Sequence, residues 1–515
     1  MKYSILILIL ISFQIGKLHS QAGQLDPSFG GKGWVHTDFG GKDQAGSIAI
    51  QKDGKLLVGG RTNVVNNAFD FILARYLSDG NLDLGFGDQG KIIRDFGSSQ
   101  ENIEFIKVLS DQRILIGGYS NNNPNSTGIL FQLLPDGSPD LSFGNQGQVI
   151  FKYGRSTGPS AVAIQEDGKL VVACVAVIDS FDIDWLVTRF YPNGQLDSSF
   201  NKKGWTYFNF ITREDIPFDI VIQKDHKILI SGCSGVYPKA NFAFLRLNED
   251  GTLDDGFGSK GSTQTDFGED QDVAYTSLML EDGKFITSGT VRDSLTNYDF
   301  GLARFLSDGS PDLSFGAGGK ITYDFKGPVD YGLYMIQQAD GKYLVCGLNN
   351  VLTHNSYIVV RFNSDGSLDT GFGKNGVASL DVVNILTDNT PGFIMQDDGK
   401  IVMVANYKDG TNINFLVFRF LNDIQTNTKH DPGIIQSVYV YPNPVSKELI
   451  LNTENMEGEI ELQLFDLRGV LIDDTMLILK NHKASLNWRD HWKPGSYFLK
   501  WNCSKQTGII PVFKK

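Results

Sequence analysis

Cysteine is scarce in this chain, with 4 among 515 residues. Cys174, Cys233, Cys346 and Cys503 form no C-x-x-C pair and lie tens of residues apart, which argues against both a disulfide framework and a thiolate metal knuckle. The first three sit in apolar stretches (VVACVAV, LISGCSG, YLVCGL), so buried free thiols are expected. Long apolar runs are also missing. The most sustained, Ile5–Phe13, is shorter than the ~20 residues that span a bilayer, so no transmembrane span is expected. Basic residues fall short of acidic ones, 46 Lys plus Arg against 59 Asp plus Glu, a net charge of −13. That field repels a phosphate backbone and argues against nucleic acid as a partner. A sustained 3.6-residue apolar period of helical length is absent as well.

What is abundant is glycine (57) and phenylalanine (35), a mixture that suits many tight turns with aromatic packing. At the N-terminus, Lys2, the apolar run Ile5–Phe13, the polar stretch Lys17–Ser20 and the small residues Ser20 and Ala22 predict a secretory signal peptide over residues 1–20. The alternative is a buried N-terminal strand.

Internal repetition dominates the rest. An Asp-Gly-Lys turn inside an apolar strand pair recurs as QKDGKLLVGG, QEDGKLVVAC, LEDGKFITSG, QADGKYLVCG and QDDGKIVMVA, with SDQRILIGG and QKDHKILISG as variants. Its aspartates are Asp53, Asp111, Asp167, Asp225, Asp282, Asp340 and Asp398. A second signature, L-D-x-x-F-G-x-x-G, places aspartates at 26, 83, 140, 197, 254, 312 and 369. Both keep a period of 56–58 residues, so residues 25–423 hold seven units. Each unit reads as four short strands; in the first these are Trp34–Phe39, Ser47–Lys52, Lys55–Gly60 and Phe69–Leu77. The two-residue Asp-Gly loop supplies the positive φ that a type I′ hairpin needs. Four strands repeated seven times predict an all-β fold, a seven-bladed β-propeller, with an open β-solenoid as the alternative. These units resemble the delta-60 repeat family, which carries a Q-x-D-G-K core followed by a D-x-x-F-G segment. The resemblance implies a propeller-like fold and no agreed activity.

A polar linker, residues 424–433 (IQTNTKHDPG), precedes a new texture over 434–515, where 10 basic residues meet 9 acidic ones. Short alternating segments there (IELQLFD, GVLID, SYFLKWN) predict a small C-terminal β-sandwich. The motif Tyr441-Pro442-Asn443-Pro444, the LFDLRGVLI stretch around Gly469, Pro494-Gly495-Ser496-Tyr497-Phe498 and the closing Ile-Pro-Val-Phe-Lys-Lys resemble the type A C-terminal sorting domain of type IX secretion cargo. The resemblance implies passage through the type IX secretion machinery, followed by release or attachment at the cell surface. A generic sandwich with a binding role is the alternative.

Several motifs mimic chemistry. GFGDQG (85–90), GFGSKG (256–261) and GFGKNG (371–376) satisfy G-x-G-x-x-G, but a dinucleotide site needs a following helix and none is predicted. Gly154-Arg155-Ser156-Thr157-Gly158 matches a nucleophile elbow, yet Pro159 and a strand follow. The D-G-x-x-D turns, among them Asp79/Asp83, Asp250/Asp254 and Asp308/Asp312, are candidate Ca²⁺ ligands, the alternative being turn stabilisation through backbone N–H groups. Arg75, Arg189, Arg246, Arg304, Arg361 and Arg419 end the fourth strand of six units, Gln132 that of the second. The expected partners are Asp38, Asp95, Asp266, Asp324 and Asp381 on the first strands, since a buried arginine needs a carboxylate.

No catalytic residues and no cofactor beyond that calcium are expected. A secreted or surface-attached binding protein, with a glycan or protein ligand, is favoured over a carbohydrate-active lyase or hydrolase on the same scaffold. The loops Arg61–Ala68, Ser120–Gly128, Ser234–Ala240 and Thr290–Tyr298 vary most between units and are where a ligand is expected.

Overall fold

The computed structural model describes residues 22–422 and 438–514, except 65–67, 98–99, 123–124, 179–181, 211–213, 237–238, 269, 295–296, 326–328, 352–353, 381–383, 387–391, 442–447, 454–457, 467–470, 481, 488–494 and 504–505. Residues 1–20, expected to be a signal peptide, and the expected linker 424–433 therefore lie outside the described residues. Compact units comprise Met1–Thr426 and Asn427–Lys515. Among the described residues, no helix is long and apolar enough to cross a membrane, and the only helical element is the 3₁₀ turn Phe200–Lys202.

The repeats form antiparallel sheets, and the strand order explains how. Gln44–Ile50, Leu56–Thr62 and Asp70–Tyr76 pair in sequence, but the fourth strand of that sheet is Lys91–Arg94, which belongs to the next sequence unit. Four sheets follow this four-stranded plan. An eight-stranded sheet follows it twice over, its halves joined by the single parallel bridge Tyr298–Val329. The last sheet, built on Ile401–Asp409 and Asn412–Phe420, completes itself with Trp34–Thr37 from the start of the chain, with Trp34 opposite Phe418. An open solenoid would leave those edges unpaired. Here the first strand seals the last sheet, as a propeller requires.

Both sequence signatures converge on one arginine. Arg246 donates from Nε to Asp254 Oδ2 at 2.6 Å; Arg75, Arg189, Arg304 and Arg361 do the same to Asp83, Asp197, Asp312 and Asp369 at 2.7–2.8 Å. Their guanidinium planes lie 4.2–4.7 Å from the rings of Phe86, Phe200, Phe257, Phe315 and Phe372, the phenylalanines of L-D-x-x-F-G. The lysine of each Asp-Gly-Lys turn reaches the same carboxylate, as Lys284 does at 3.1 Å from Asp312, and Lys227 of the variant turn does so too, at 3.0 Å from Asp254. The glutamine of Q-x-D-G-K closes the cradle in some units, Gln165 accepting from Arg189 at 3.2 Å. The first-strand aspartates are not the partners expected for these arginines. Asp38, Asp95 and Asp266 instead accept the N–H of Gly40, Gly97 and Gly268, because their strands join the preceding sheet and end in a turn of their own.

Each arginine also crosses to the next sheet. Arg189 Nη1 donates to Glu249 O at 2.6 Å, Arg304 to Ser364 O at 3.2 Å, and Arg75 and Arg246 to Pro135 O and Ser307 O. The glycine of that neighbouring turn rests on the phenylalanine ring: a Cβ at Gly251, whose φ is +85°, would meet Phe200 at 2.8 Å. The last arginine closes the series. Arg419 pairs with Asp26 at 2.8 Å, stacks on Phe29 and donates to Ser78 O at 2.5 Å, linking both ends of the repeat array. The second unit shows compensation: its strand ends in Gln132, and Arg113 from the hairpin turn takes over, holding Asp140 at 3.0 Å.

In the C-terminal unit, Val438–Tyr441, Glu448–Thr453 and Lys483–Asn487 form one sheet. Leu471–Leu479, Gly458–Asp466, Gly495–Cys503 and Gln506–Lys514 form the other. Alternate residues Leu449, Leu451, Ile460, Leu462, Leu464, Leu499 and Trp501 bury into one core between them, giving the expected sandwich.

The cradles predict an acid limb in stability. Burial pushes the Asp197 carboxyl up, but the Ser199 hydroxyl and N–H and the Arg189 charge outweigh it and hold it at about 2. Asp26, Asp83, Asp140, Asp254, Asp312 and Asp369 are likewise held below the carboxylate range. A depressed folded pKa stabilises above the unfolded value of ~3.9 and is lost as pH falls through the folded one. Urea unfolding should therefore show stability dropping from about pH 4 to about pH 2, with a shallower drop in D197N.

Candidate functional site

In six of the repeat units the opening strand carries an irregularity at one shared phase. Pairing skips Gly46, Glu104, Ser160, Phe218 and Tyr275 in the first five such strands, and Leu333 with Tyr334 in the next. A β-bulge leaves one residue unpaired and re-aims its side chain. Here the bulged residues, Leu333 apart, point into one cavity lined also by Gly392 and Phe393, so strands from every unit converge on it. Two contiguous volumes, 350 and 280 Å³, share Glu104, Ser160, Phe218, Tyr275 and Tyr334 as walls.

The walls combine aromatic rings with carboxylates. Phe218 and Tyr275 stand with ring centroids 4.8 Å apart. Glu104 has exposed surface, but protein surrounds the cavity it faces. That enclosure raises its pKa, partly offset by a 2.7 Å hydrogen bond from Asn102 Nδ2 and by the Arg61 charge. Burial likewise raises the Tyr119 phenol, and the Glu104 charge adds to it. Asp219 accepts the N–H of Ile220 at 2.8 Å and of Ser277 at 2.9 Å, yet burial still raises its pKa; Lys107 partly offsets this. A pair of carboxyls whose pKa burial raises, beside two tilted rings, can hold a polyhydroxylated or cationic ligand. A larger surface cleft of 630 Å³, walled by turn segments around Phe208–Phe210 and Gly256–Gln264, has Asp308 as its one titratable group.

The sequence-predicted calcium ligands are otherwise engaged. Asp79, Asp250 and Asp308 each accept the N–H two residues on, at 2.9–3.0 Å, as turn-forming aspartates do. Asp83, Asp254 and Asp312 hold the cradle arginines. The two carboxylates of each turn thus do different work. Cys174, Cys233 and Cys346 are buried free thiols, and burial pushes Cys233 up to about 12. The glycine triplets form turns, and Ser156 opens the strand Ser156–Ile164, where its hydroxyl accepts the Ser126 N–H at 3.1 Å. No elbow forms. Of the variable loops, Ser120–Gly128 lends Ser126 to the cavity; parts of all four lie outside the described residues. In the sorting motif, Tyr441 ends a strand and Gly495 and Tyr497 lie on another, with Tyr497 8% exposed in the core; Pro442, Asn443, Pro444 and Gly469 lie outside the described residues.

Sequence reading missed the cavity residues. Their signal was there: at the bulge phase the units read Gly46, Glu104, Ser160, Phe218, Tyr275 and Tyr334, a non-repeating column in a repeating frame.

Comparison with known proteins fits this geometry. The family described as "Domain of unknown function (DUF5122) beta-propeller" matches residues 51–86, 109–143, 223–257, 280–315 and 338–372, each running from the hairpin motif to the cradle phenylalanine. The "Secretion system C-terminal sorting domain" matches residues 439–512. The chain carries DUF5122 β-propeller repeats and a type IX sorting domain, which indicates export to the cell surface or extracellular space. No curated protein matches the chain. Similar solved structures include polysaccharide lyase Uly1 (12% identity, TM-score 0.43, covering 74% of this chain and 90% of that one). A PL25 ulvan lyase bound to -[GlcA(1-4)Rha3S]- gives 10% identity and TM-score 0.45 over 75% and 96% of the two chains. Drosophila Semaphorin 2a gives 8% and 0.41 over 93% and 97%. At these scores nothing about function transfers to this chain.

Replacing the two aspartates of one turn should separate their roles. Asp308→Ala removes a local turn bond and should cost about 1 kcal/mol. Asp312→Ala strands Arg304 and should cost about 3–5 kcal/mol. Chemical denaturation of both variants checks the ranking.

Proposed function

We propose that the mature protein is a secreted or surface-attached binding protein whose ring of seven blades grips a glycan in its axial cavity. The observation that carries this reading is the set of bulges that turns Glu104, Phe218, Tyr275 and Tyr334 into one space. Sugar rings offer apolar faces to aromatic side chains and hydroxyls to carboxylates, and that is the chemistry these walls supply. The blade count is supported by the seven sequence units and by the pairing of Trp34–Thr37 with the last sheet.

Export by two steps accompanies this reading: residues 1–20 direct the chain across the inner membrane, and 434–515 engage the type IX machinery. The residues assigned to that recognition are Tyr441, Pro442, Asn443, Pro444, Gly469, Gly495 and Tyr497, the last of which is buried in the sandwich core. Deleting 434–515 should trap the propeller in the periplasm, as fractionation and immunoblotting would reveal; normal surface display of the truncated chain would refute the assignment.

A second reading, turnover of a polysaccharide, rests on Glu104. A carboxyl with a raised pKa that opens to a cavity beside Tyr119 is suited to general acid or base work. A glycan array followed by product analysis on the same ligands separates the two. Tyr275→Ala should weaken binding at least tenfold under either reading. Glu104→Gln should abolish product release only if the site is catalytic.

A further inference from the structure

Asp70 stands out among the buried acids. It is 0% exposed, and neither carboxylate oxygen has a hydrogen-bond partner. The cover over it is thin, since little protein surrounds it beyond the layer that seals it from solvent. Asp70 opens the strand Asp70–Tyr76, Asp95 follows the strand Lys91–Arg94 beside it, and Glu101 lies on Gln100–Val108 of the next sheet. One carboxylate oxygen from each lies within 4.8 Å of the others. Two oxygens bound to one Ca²⁺ at about 2.4 Å are separated by at most twice that distance, so the spacing suits a shared ion.

Among the described residues, no cation acts on Asp70. The one charge that acts on it is that of Asp95, which repels it. Glu101 is held in place, accepting the Phe96 N–H at 2.9 and 3.1 Å, and Asp95 Oδ1 accepts the Gly97 N–H at 2.5 Å. Burying a bare carboxylate between two others is costly unless a cation joins them.

The repeat provides internal comparison. Asp299, Asp324 and Asp330 form the same triad at the corresponding place. Where the second unit loses the acids to Thr127 and Thr157, the third position becomes Lys152. In the third and fourth units one of the three positions is an asparagine, Asn209 and Asn241, so the full acidic triad recurs at these two places among the described residues.

We propose that Asp70, Asp95 and Glu101 bind a Ca²⁺ ion that ties one sheet to the next. All-oxygen, anionic ligands select a hard divalent cation over zinc or copper. The ion replaces the contact that neither Asp70 oxygen finds within the protein. This assignment moves calcium away from the D-G-x-x-D turns, whose carboxylates already serve turns and arginines.

The test is equilibrium dialysis of the purified full chain against ⁴⁵Ca²⁺ after treatment with chelator. Asp70→Asn and Asp95→Asn should each bind one Ca²⁺ fewer per chain than the wild type, with unchanged circular dichroism. Should Asp70→Asn fail to fold, the exposed Asp95 still decides the matter. Equal uptake by wild type and Asp95→Asn, including no uptake by either, overturns the proposal.

Discussion

A buried guanidinium that finds carboxylate, aromatic face and neighbouring carbonyl together is the constraint on which this repeat array depends. Arg189 shows it whole: Asp197 neutralises it, Phe200 stacks on it, Gln165 accepts from it, and Glu249 O of the next sheet takes its remaining donor. A buried arginine lacking any of these would keep unpaired charge or unmet N–H groups. Satisfying it therefore fixes the hairpin, the turn and the spacing between sheets at once. The exchange between Gln132 and Arg113 in the second unit makes the same point, since the charge moved along the chain while the carboxylate it serves stayed.

That rigid frame leaves one column of positions free to differ. The bulge recurs on six inner strands, but the residue it carries does not. Bulged residues make no ladder bonds, so their identity is not bound by strand pairing. A scaffold with near-equal units can thus enclose a chemically uneven cavity, with Glu104 and Asp219 on some strands and Tyr275 and Tyr334 on others. In the C-terminal unit the division is similar: alternating apolar residues build the sandwich, and Tyr497, prominent in the sorting signature, belongs to its core.

Much of this was legible in the residues alone. The two signatures, their common period, the hairpin turns, the buried thiols and the sorting tail all follow from local chemistry, because turn residues and strand alternation act over a few positions. The cradle was half visible: six arginines at one phase called for carboxylates, yet the first-strand aspartates were the wrong set. The error has a physical source. Each outer strand pairs with the sheet before it, so Asp95 is carried to Asp70 and away from the arginines.

By itself, then, the sequence determined an all-β repeat, its period, its turns and its route out of the cell. Tertiary structure alone decided which carboxylate meets which cation, which side chains share the axial cavity, and that Asp26 would meet Arg419 across 393 residues. Those pairings depend on how sheets are phased and closed, and charge attraction acts through space with no regard to distance along the chain.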